Sequence, residues 1–106
     1  MSVDFAGSAT PTPPTNRFMA AELDLTVSHT DQSLGLSVLG VTYRWLTVDQ
    51  VDAPATYRLL QTDGSMSSSL QAKASAKFQE HEFVDILVSN PAGSGIIRFI
   101  VGWRSD

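Results

Sequence analysis

The sequence contains no cysteine. Disulfide bonds and thiolate metal sites are therefore excluded. The absence of cysteine is compatible with both an oxidising and a reducing compartment. Basic residues are also few, with seven lysines and arginines scattered along the chain against eleven acidic residues. Because a sequence-independent grip on phosphates needs clustered cations, this composition argues against binding to nucleic acid or to an anionic membrane surface.

Long apolar runs are lacking as well, and no stretch approaches the length of a membrane span. The first residues do not have the basic-then-apolar order of a signal peptide, so we expect a soluble protein that folds in a cytoplasm. With 106 residues, 42% of them hydrophobic, the chain predicts one globular domain with a modest core.

Proline is concentrated near the N-terminus, at Pro11, Pro13 and Pro14. Each proline lacks an amide donor and holds φ near the polyproline value, and each of the last two pushes the residue before it out of the helical region. The sequence therefore predicts an extended arm over residues 1–17, followed by the folded domain over residues 18–106. The arm is either a disordered terminus or a segment that binds a partner.

Binding of the arm to a neighbouring subunit needs side chains that anchor it. Val3 and Phe5 are the apolar candidates, and the three prolines add contact surface at little entropic cost. We therefore predict that Val3, Phe5 and the prolines are partner-binding residues, while a mobile terminus is the simpler interpretation.

Hydrophobic alternation predicts strands in the first half of the domain. Residues 18–29 alternate between apolar and polar side chains from Glu22 onward, which is typical of a half-buried strand. Residues 29–33 are typical of a turn. Residues 34–48 predict one long strand with a β-bulge or bend at Gly40, where the alternation slips in phase.

The middle of the chain is less regular. Residues 55–61 predict a short strand, and the Asp-Gly pair within residues 62–65 favours a turn. Residues 65–77 predict an irregular strand or loop with small side chains. A short helix over residues 70–78 is the alternative, because alanine, glutamine, lysine and leucine favour helices, but an apolar stripe is missing.

The last part of the chain predicts a β-hairpin, with strands at residues 83–89 and 96–103 around a loop of small residues. Both strands are apolar on both faces, which indicates a central position or a second face covered by another subunit. The whole chain predicts about six to eight short strands separated by turns, the pattern of an all-β antiparallel sandwich or jelly roll.

Catalytic patterns are not evident in the sequence. Thirteen serines accompany only two histidines, and neither a nucleophile elbow nor a phosphate loop occurs. Ser94 lies between two glycines, which indicates a flexible hairpin loop. On a strand, the side chains of Glu80 and Glu82 would point to one side and that of His81 to the other. We therefore interpret this triplet as a solvent-exposed polar edge and not as a metal site. We expect no enzymatic activity and no cofactor.

Aromatic residues offer a second kind of site, a platform for sugars. Tyr43 and Trp45 share a face in the alternation and are predicted to lie in the core, although either is a candidate for a ligand-facing position. Trp103 precedes Arg104 near the C-terminus. Because tryptophan and arginine are enriched at binding hot spots, we predict that Trp103 and Arg104 bind a partner.

The C-terminal quarter carries a family resemblance. FVDILVSNPAG at residues 83–93, followed by IIRFIVG at residues 96–102, resembles the ending of small tailed-phage virion proteins. Those proteins close with an apolar strand, an Asn-Pro or Asn-Ser turn and a strand of the form I-R-F-x-V-G. Capsid decoration (cement) proteins and head or tail fibre modules of this kind are typically β-sandwiches assembled as trimers. Carbohydrate-binding sandwiches can end similarly, and residues 65–77 depart from the pattern.

The resemblance implies a structural virion protein. Its expected role is capsid decoration on the outer surface of a phage head, as a homotrimer that contacts the major capsid protein or another virion protein. The protein would be made in the host cytoplasm. The alternative is a receptor- or carbohydrate-binding β-sandwich module of a fibre or spike.

Overall fold

The computed structural model describes residues 15–105, which form two antiparallel β-sheets of four strands each. One 3-10 helix, Leu36–Leu39, lies between the second and third strands. The strands are β1 (Thr15–Asp24), β2 (His29–Ser33), β3 (Tyr43–Val51), β4 (Thr56–Leu60), β5 (Leu70–Gln71), β6 (Gln79–Phe83), β7 (Asp85–Asn90) and β8 (Ile96–Ser105).

The strand order is that of a jelly roll. One sheet has the order β1-β8-β3-β6 and is called here the β8 sheet; the other has the order β2-β7-β4-β5 and is called the β7 sheet. The antiparallel pairs β1 with β8, β2 with β7, β3 with β6 and β4 with β5 are nested, as in one long hairpin rolled over itself. The predicted all-β antiparallel sandwich is confirmed.

The predicted arm overlaps the first strand. β1 begins at Thr15, where it pairs with Ser105, so residues 15–17 belong to the sheet and not to the arm. Residues 1–14 lie outside the described residues, and with them the predicted partner-binding residues Val3, Phe5, Pro11, Pro13 and Pro14. The division into arm and domain stays a prediction.

The predicted C-terminal hairpin is wrong, although both of its strands exist. β7 lies between β2 and β4 in one sheet, while β8 lies between β1 and β3 in the other. Of the two alternatives offered for these strands, the central position is therefore the one that the structure shows. The loop between them crosses from one sheet to the other, a distance of about 10 Å. A few residues can span this distance, so the short loop is compatible with a crossing as well as with a hairpin turn.

Two other predicted elements need correction. Residues 29–33, predicted as a turn, form strand β2, and the predicted long strand over residues 34–48 is interrupted. The 3-10 helix sits there between Gly35 at φ 77° and Gly40 at φ 68°, two left-handed positions that glycine adopts without strain. The slip in alternation at Gly40 thus marks a crossing between the sheets and not a bulge.

The irregular middle agrees better with the prediction. Residues 65–77 contain only the two-residue strand β5 and no helix. After β5 the chain crosses to the β8 sheet. The amide of Ala72 donates to the carbonyl of Ala55 at 2.9 Å, and the amide of Ser75 donates to the carbonyl of Val48 at 2.9 Å. This segment closes one open edge of the sandwich.

The core lies between the inner faces of the sheets and is built around aromatic pairs. Tyr43 stacks on Phe83 with ring centroids 5.3 Å apart, and Tyr57 meets Phe99 edge-on at 5.2 Å. Such pairs add to the free energy gained from burying the rings. Fully buried aliphatic side chains fill the space around them: Leu25, Leu46, Leu59, Ile86, Val88, Ile97 and Val101.

A buried carboxylate ties the 3-10 helix to the β7 sheet. Asp85 accepts hydrogen bonds from the Ser33 hydroxyl at 2.5 Å and the Leu36 amide at 3.2 Å, and its side chain also accepts from the Ile86 amide at 2.8 Å. Only 4% of Asp85 is exposed. A buried charge of this kind is stabilised only while its hydrogen bonds are complete.

We expect Asp85→Ala to lower the free energy of unfolding by about 3 kcal/mol, because buried donors lose their acceptor. Urea denaturation measures the loss. Asp63→Ala is the matched control, since Asp63 is an exposed aspartate that accepts from Ser65 within a turn. Equal losses in the two variants would contradict the structural role of Asp85.

Gly95 has a conformation and a position that only glycine allows. Its φ is 74°, and an added Cβ would overlap with the side chain of Asp52. The Asp52 carboxylate accepts a hydrogen bond at 2.9 Å from the backbone amide of Ile96, the first residue of β8. This hydrogen bond, together with one from the Gln50 side chain, lowers the pKa of Asp52.

Substitution of Gly95 by alanine should therefore cost more than the same change at Gly64, which has φ 87° but open space around it. We expect Gly64→Ala to cost about 1 kcal/mol from backbone strain, and Gly95→Ala to cost about 3 kcal/mol because steric overlap adds to the strain. Chemical denaturation of both variants makes the comparison. A Gly95→Ala loss no larger than that of Gly64→Ala would argue against this packing.

Candidate partner-binding surface

Three aromatic side chains meet on the outer face of the β8 sheet. The ring of Phe18 lies 6.0 Å from Trp45 and 5.3 Å from Phe78, measured between centroids. Phe18 is 50% exposed and Phe78 is 45% exposed, while Trp45 is half-buried. We call these three side chains the aromatic surface. Single exposed apolar residues are common, but a cluster in which one large ring contacts two others indicates a binding surface.

Gly102 makes room for this cluster. In the strand register, both Phe18 on β1 and Trp45 on β3 lie opposite Gly102 on the central strand β8. A Cβ at Gly102 would stand only 2.5 Å from the ring of Phe18. The missing side chain lets Phe18 lie across β8 toward Trp45, which is a common use of glycine within a strand.

Trp45 does not share the face of Tyr43, so its predicted core position is wrong. Tyr43 is fully buried, and its hydroxyl donates to the Leu36 carbonyl at 2.9 Å. Burial, with a smaller effect from the charge of Asp85, raises the pKa of Tyr43. Between Tyr43 and Trp45 the pairing of β3 with β6 shifts register, and the alternation breaks there. Trp45 thereby joins the outer face.

Phe78 reaches the surface through the segment that follows β5. Thr47 on β3 donates its hydroxyl proton to the Ser75 carbonyl at 2.7 Å, which holds this segment against the β8 sheet. Two residues beyond Lys77, at Gln79, β6 begins and pairs with Leu46. Phe78 therefore sits at the point where a loop held by hydrogen bonds turns into a strand.

Charged groups border the aromatic surface along β8. Arg98 pairs with Glu22 at 2.6 Å and with Asp49 at 3.3 Å, and hydrogen bonds to these carboxylates raise the pKa of Arg98. By strand alternation, Ile100 lies between this ion cluster and the aromatic rings, and the exposed Arg104 lies beyond the rings on the same face. The face thus has an apolar middle and polar ends.

The predicted C-terminal pair is divided between the two faces of the sheet. Trp103 packs on the core side, half-buried, with its ring edge-on to Tyr43 at 5.6 Å and 84°. Arg104 is exposed on the outer face near the aromatic surface. Partner binding by Trp103 and Arg104 stays a prediction, and the geometry places Arg104 nearer to the candidate surface.

The other sequence candidates lie at separate exposed positions. Ser94 is in the exposed loop between β7 and β8, and Glu80, His81 and Glu82 lie on the exposed edge strand β6. Glu82 pairs there with Arg44 at 3.1 Å. Among residues 15–105, no three or more His, Cys, Asp or Glu side chains are grouped so that they could hold a metal ion.

An open groove of about 440 Å³ lies at one end of the β7 sheet, lined by Pro54, Ala55, Thr56 and Pro91 among others. Two of its polar side chains, His29 and Asn90, are already partnered within the protein. The His29 Nδ1 lies 2.7 Å from the Asn90 Oδ1, and the Asn90 amide nitrogen donates to three backbone carbonyls. A ligand site needs a few polar groups that fix orientation, so the groove is the weaker candidate.

Phe18 and Phe78 were not identified as site residues from the sequence. Phe78 is the only apolar residue in the polar stretch 78–82, which was a signal for an exposed ring. A second signal was Gly102 within a mostly apolar strand. Neither signal shows which rings meet, because that depends on which strands lie side by side.

Comparison with known proteins gives little further information. No protein-family model matches the sequence, and no curated protein matches it. A chain from a solved structure described as "Bacillus endospore appendages form a novel family of disulfide-linked pili" is similar at 10% identity and a TM-score of 0.46, over 98% of this chain and 96% of that chain. A TM-score of this size does not assign a shared fold. In the described part of the chain, no helix is long and apolar enough to cross a membrane.

The role of Gly102 can be tested through the fluorescence of Trp45. In a Trp103→Phe background Trp45 is the one remaining tryptophan, and excitation at a wavelength that tyrosine does not absorb reports on it alone. Gly102→Ala should push the Phe18 ring away from it. We expect red-shifted emission and stronger quenching by acrylamide, because Trp45 loses its cover. Gly64→Ala in the same background is the control and should leave the spectrum unchanged. An unchanged spectrum for Gly102→Ala would mean that Phe18 does not shield Trp45.

Proposed function

We propose that this chain is a structural virion protein, a capsid decoration protein that stabilises a phage head as a homotrimer in contact with the major capsid protein. The observation that carries the proposal is the aromatic surface, which we assign to protein–protein contact in the assembled state. The resemblance of residues 83–102 to small virion proteins supports the setting. A net charge of −4 suits an outer surface, away from packaged DNA.

The chemistry of the aromatic surface favours a protein partner. Phenylalanine has no polar group with which to orient a small ligand, and two of the three rings are phenylalanines. Burying the exposed half of one phenylalanine ring against a partner would contribute about 2 kcal/mol to the free energy of binding. The apolar middle and charged ends of this face match the usual composition of interfaces, where charged residues are depleted at the centre and present at the rim.

Contacts that form only in the assembled state also explain how such a protein would stabilise a shell. A ligand that binds the assembled form and not the dissociated form shifts the equilibrium toward assembly. A trimer would bind with three copies at once, so that loss of contacts between copies weakens shell binding through lost avidity. The aromatic surface is therefore expected to affect shell binding even where it touches only another copy.

The test is co-sedimentation with capsids of the encoding phage that were assembled without this protein. We expect the Phe18→Thr/Phe78→Thr variant to bind at least about tenfold more weakly than the wild type, because two interface rings are removed. Threonine keeps the strand propensity at Phe18, and Phe78 lies just before β6 begins, so its replacement leaves that strand unchanged. Val38→Thr is the matched control, since Val38 is 83% exposed on the 3-10 helix, and it should bind normally.

Two results would count against the proposal in different ways. Wild-type binding by the double variant would remove the aromatic surface from the assembly. Failure of the wild type to bind capsids would remove the decoration role itself.

A receptor- or carbohydrate-binding module is the second candidate, because exposed aromatic rings also stack on sugars. The rings here are tilted by 39° and 56° to one another and do not form a flat platform. Screening against glycans with Trp45 fluorescence as the readout separates the two functions. Saturable quenching by one glycan, lost in Phe18→Thr/Phe78→Thr, would favour the carbohydrate-binding module.

A further inference from the structure

We infer that the aromatic surface binds the proline-rich N-terminal segment, residues 1–14, of a second copy of this chain. The inference rests on the proposed role of this surface in protein–protein contact and names the partner. It follows from the chemistry of the two parts, from the place where β1 begins, and from the length of the segment that precedes it.

The chemistry of the segment fits the chemistry of the surface. Proline-rich segments form polyproline II helices, which bind in grooves lined with aromatic rings because little entropy is lost on binding. The stretch TPTPPT at residues 10–15 supplies three prolines, and residues 6–16 carry no charge. An uncharged, proline-rich segment matches the apolar middle of the outer face, where Phe18, Trp45 and Phe78 lie.

The start of β1 and the two consecutive prolines before it argue against binding of the prolines to the aromatic surface of their own chain. Thr15 already pairs with Ser105 at the start of β1, and Phe18 lies three residues further along that strand, about 10 Å away. To reach its own Phe18, the chain would have to reverse direction at Pro13, Pro14 and Thr15. Two consecutive prolines favour an extended backbone and oppose such a reversal. Binding to a neighbouring copy needs no such reversal and is therefore the arrangement that we propose.

The length of the segment is sufficient for this contact. Fourteen residues in the polyproline II conformation span roughly 40 Å, which exceeds the length of one strand of the sandwich. Val3 and Phe5, the predicted anchors, would then reach beyond the rings while the prolines cover them.

An exchange of this kind fixes the type of assembly. The donor segment and the acceptor surface are different parts of the chain, so the interface is heterologous, and it closes into a ring when the rotation between copies allows. Three copies with a rotation of about 120° would close, which agrees with the proposed homotrimer. Each copy would then give one segment and receive one.

The experiment uses full-length chains with one half of the interface removed. The arm variant carries Pro11→Ser, Pro13→Ser and Pro14→Ser, and the surface variant carries Phe18→Thr and Phe78→Thr. Light scattering after size separation gives the mass of each. We expect the wild type to be an oligomer, each variant alone to be a monomer, and Val38→Thr to match the wild type.

Mixing the two variants is the decisive step. The mixture retains one intact segment and one intact surface, so it should give a one-to-one dimer and nothing larger. Recovery of this complex also shows that both variants are folded. A mixture that stays monomeric, or an arm variant that keeps the wild-type mass, would overturn the inference. A wild-type chain that is monomeric at about 1 mM would do the same, since even a Kd of that order populates dimers.

Capsid co-sedimentation of the same variants separates this inference from the proposed function. If the surface variant loses capsid binding while the arm variant keeps it, the aromatic surface is an assembly contact with a different occupant, and only the inference fails. If the mixture dimerises but wild-type protein does not bind capsids, the exchange between copies stands and the decoration role fails.

Discussion

The central position of β8 is the constraint on which the rest of the structure depends. This strand pairs with β1 on one side and β3 on the other, so both of its edges are used and both of its faces are committed. Its inner face places Ile97, Phe99 and Val101 in the core, all fully buried. Its outer face places Gly102 beneath the ring of Phe18. One strand thereby supplies the middle of the core and the floor of the candidate binding surface.

The jelly-roll order follows from how the chain leaves each strand. In this nested arrangement consecutive strands change sheets everywhere except from β4 to β5, which pair within the β7 sheet, and the other loops must cross between the sheets. The crossing before β3 is held by Asp85, which binds the 3-10 helix from the other sheet, and the crossing before β8 is held by Asp52. Hydrogen bonds to carboxylates thus hold these two crossings, whereas tight turns connect the strands of a simple meander.

An exposed aromatic cluster is costly for a small protein to keep, because it favours self-association. Here the rings are enclosed by polar groups on the same face: the ion cluster of Arg98 with Glu22 and Asp49, and Arg104 at the other end. Such a border limits the contact to partners that fit the apolar middle. The proline-rich segment proposed as the occupant has the width of a single chain, and residues 6–16 carry no charge, so it would satisfy that limit better than a second flat sheet.

Hydrophobic alternation by itself predicted that this chain is all-β and that strands lie within residues 18–29, 55–61, 83–89 and 96–103, each of which overlaps a strand of the structure. For the last two strands it left two alternatives, a central position or a face covered by another subunit. Alternation could do this because it records which face of its own strand each residue occupies. It does not record which strand lies beside it. The pairing of β8 with β1 instead of β7, the outward position of Trp45, and the meeting of Phe18 with Phe78 were decided only by the tertiary structure, because they depend on loops that cross between sheets and on a register shift that no local pattern specifies.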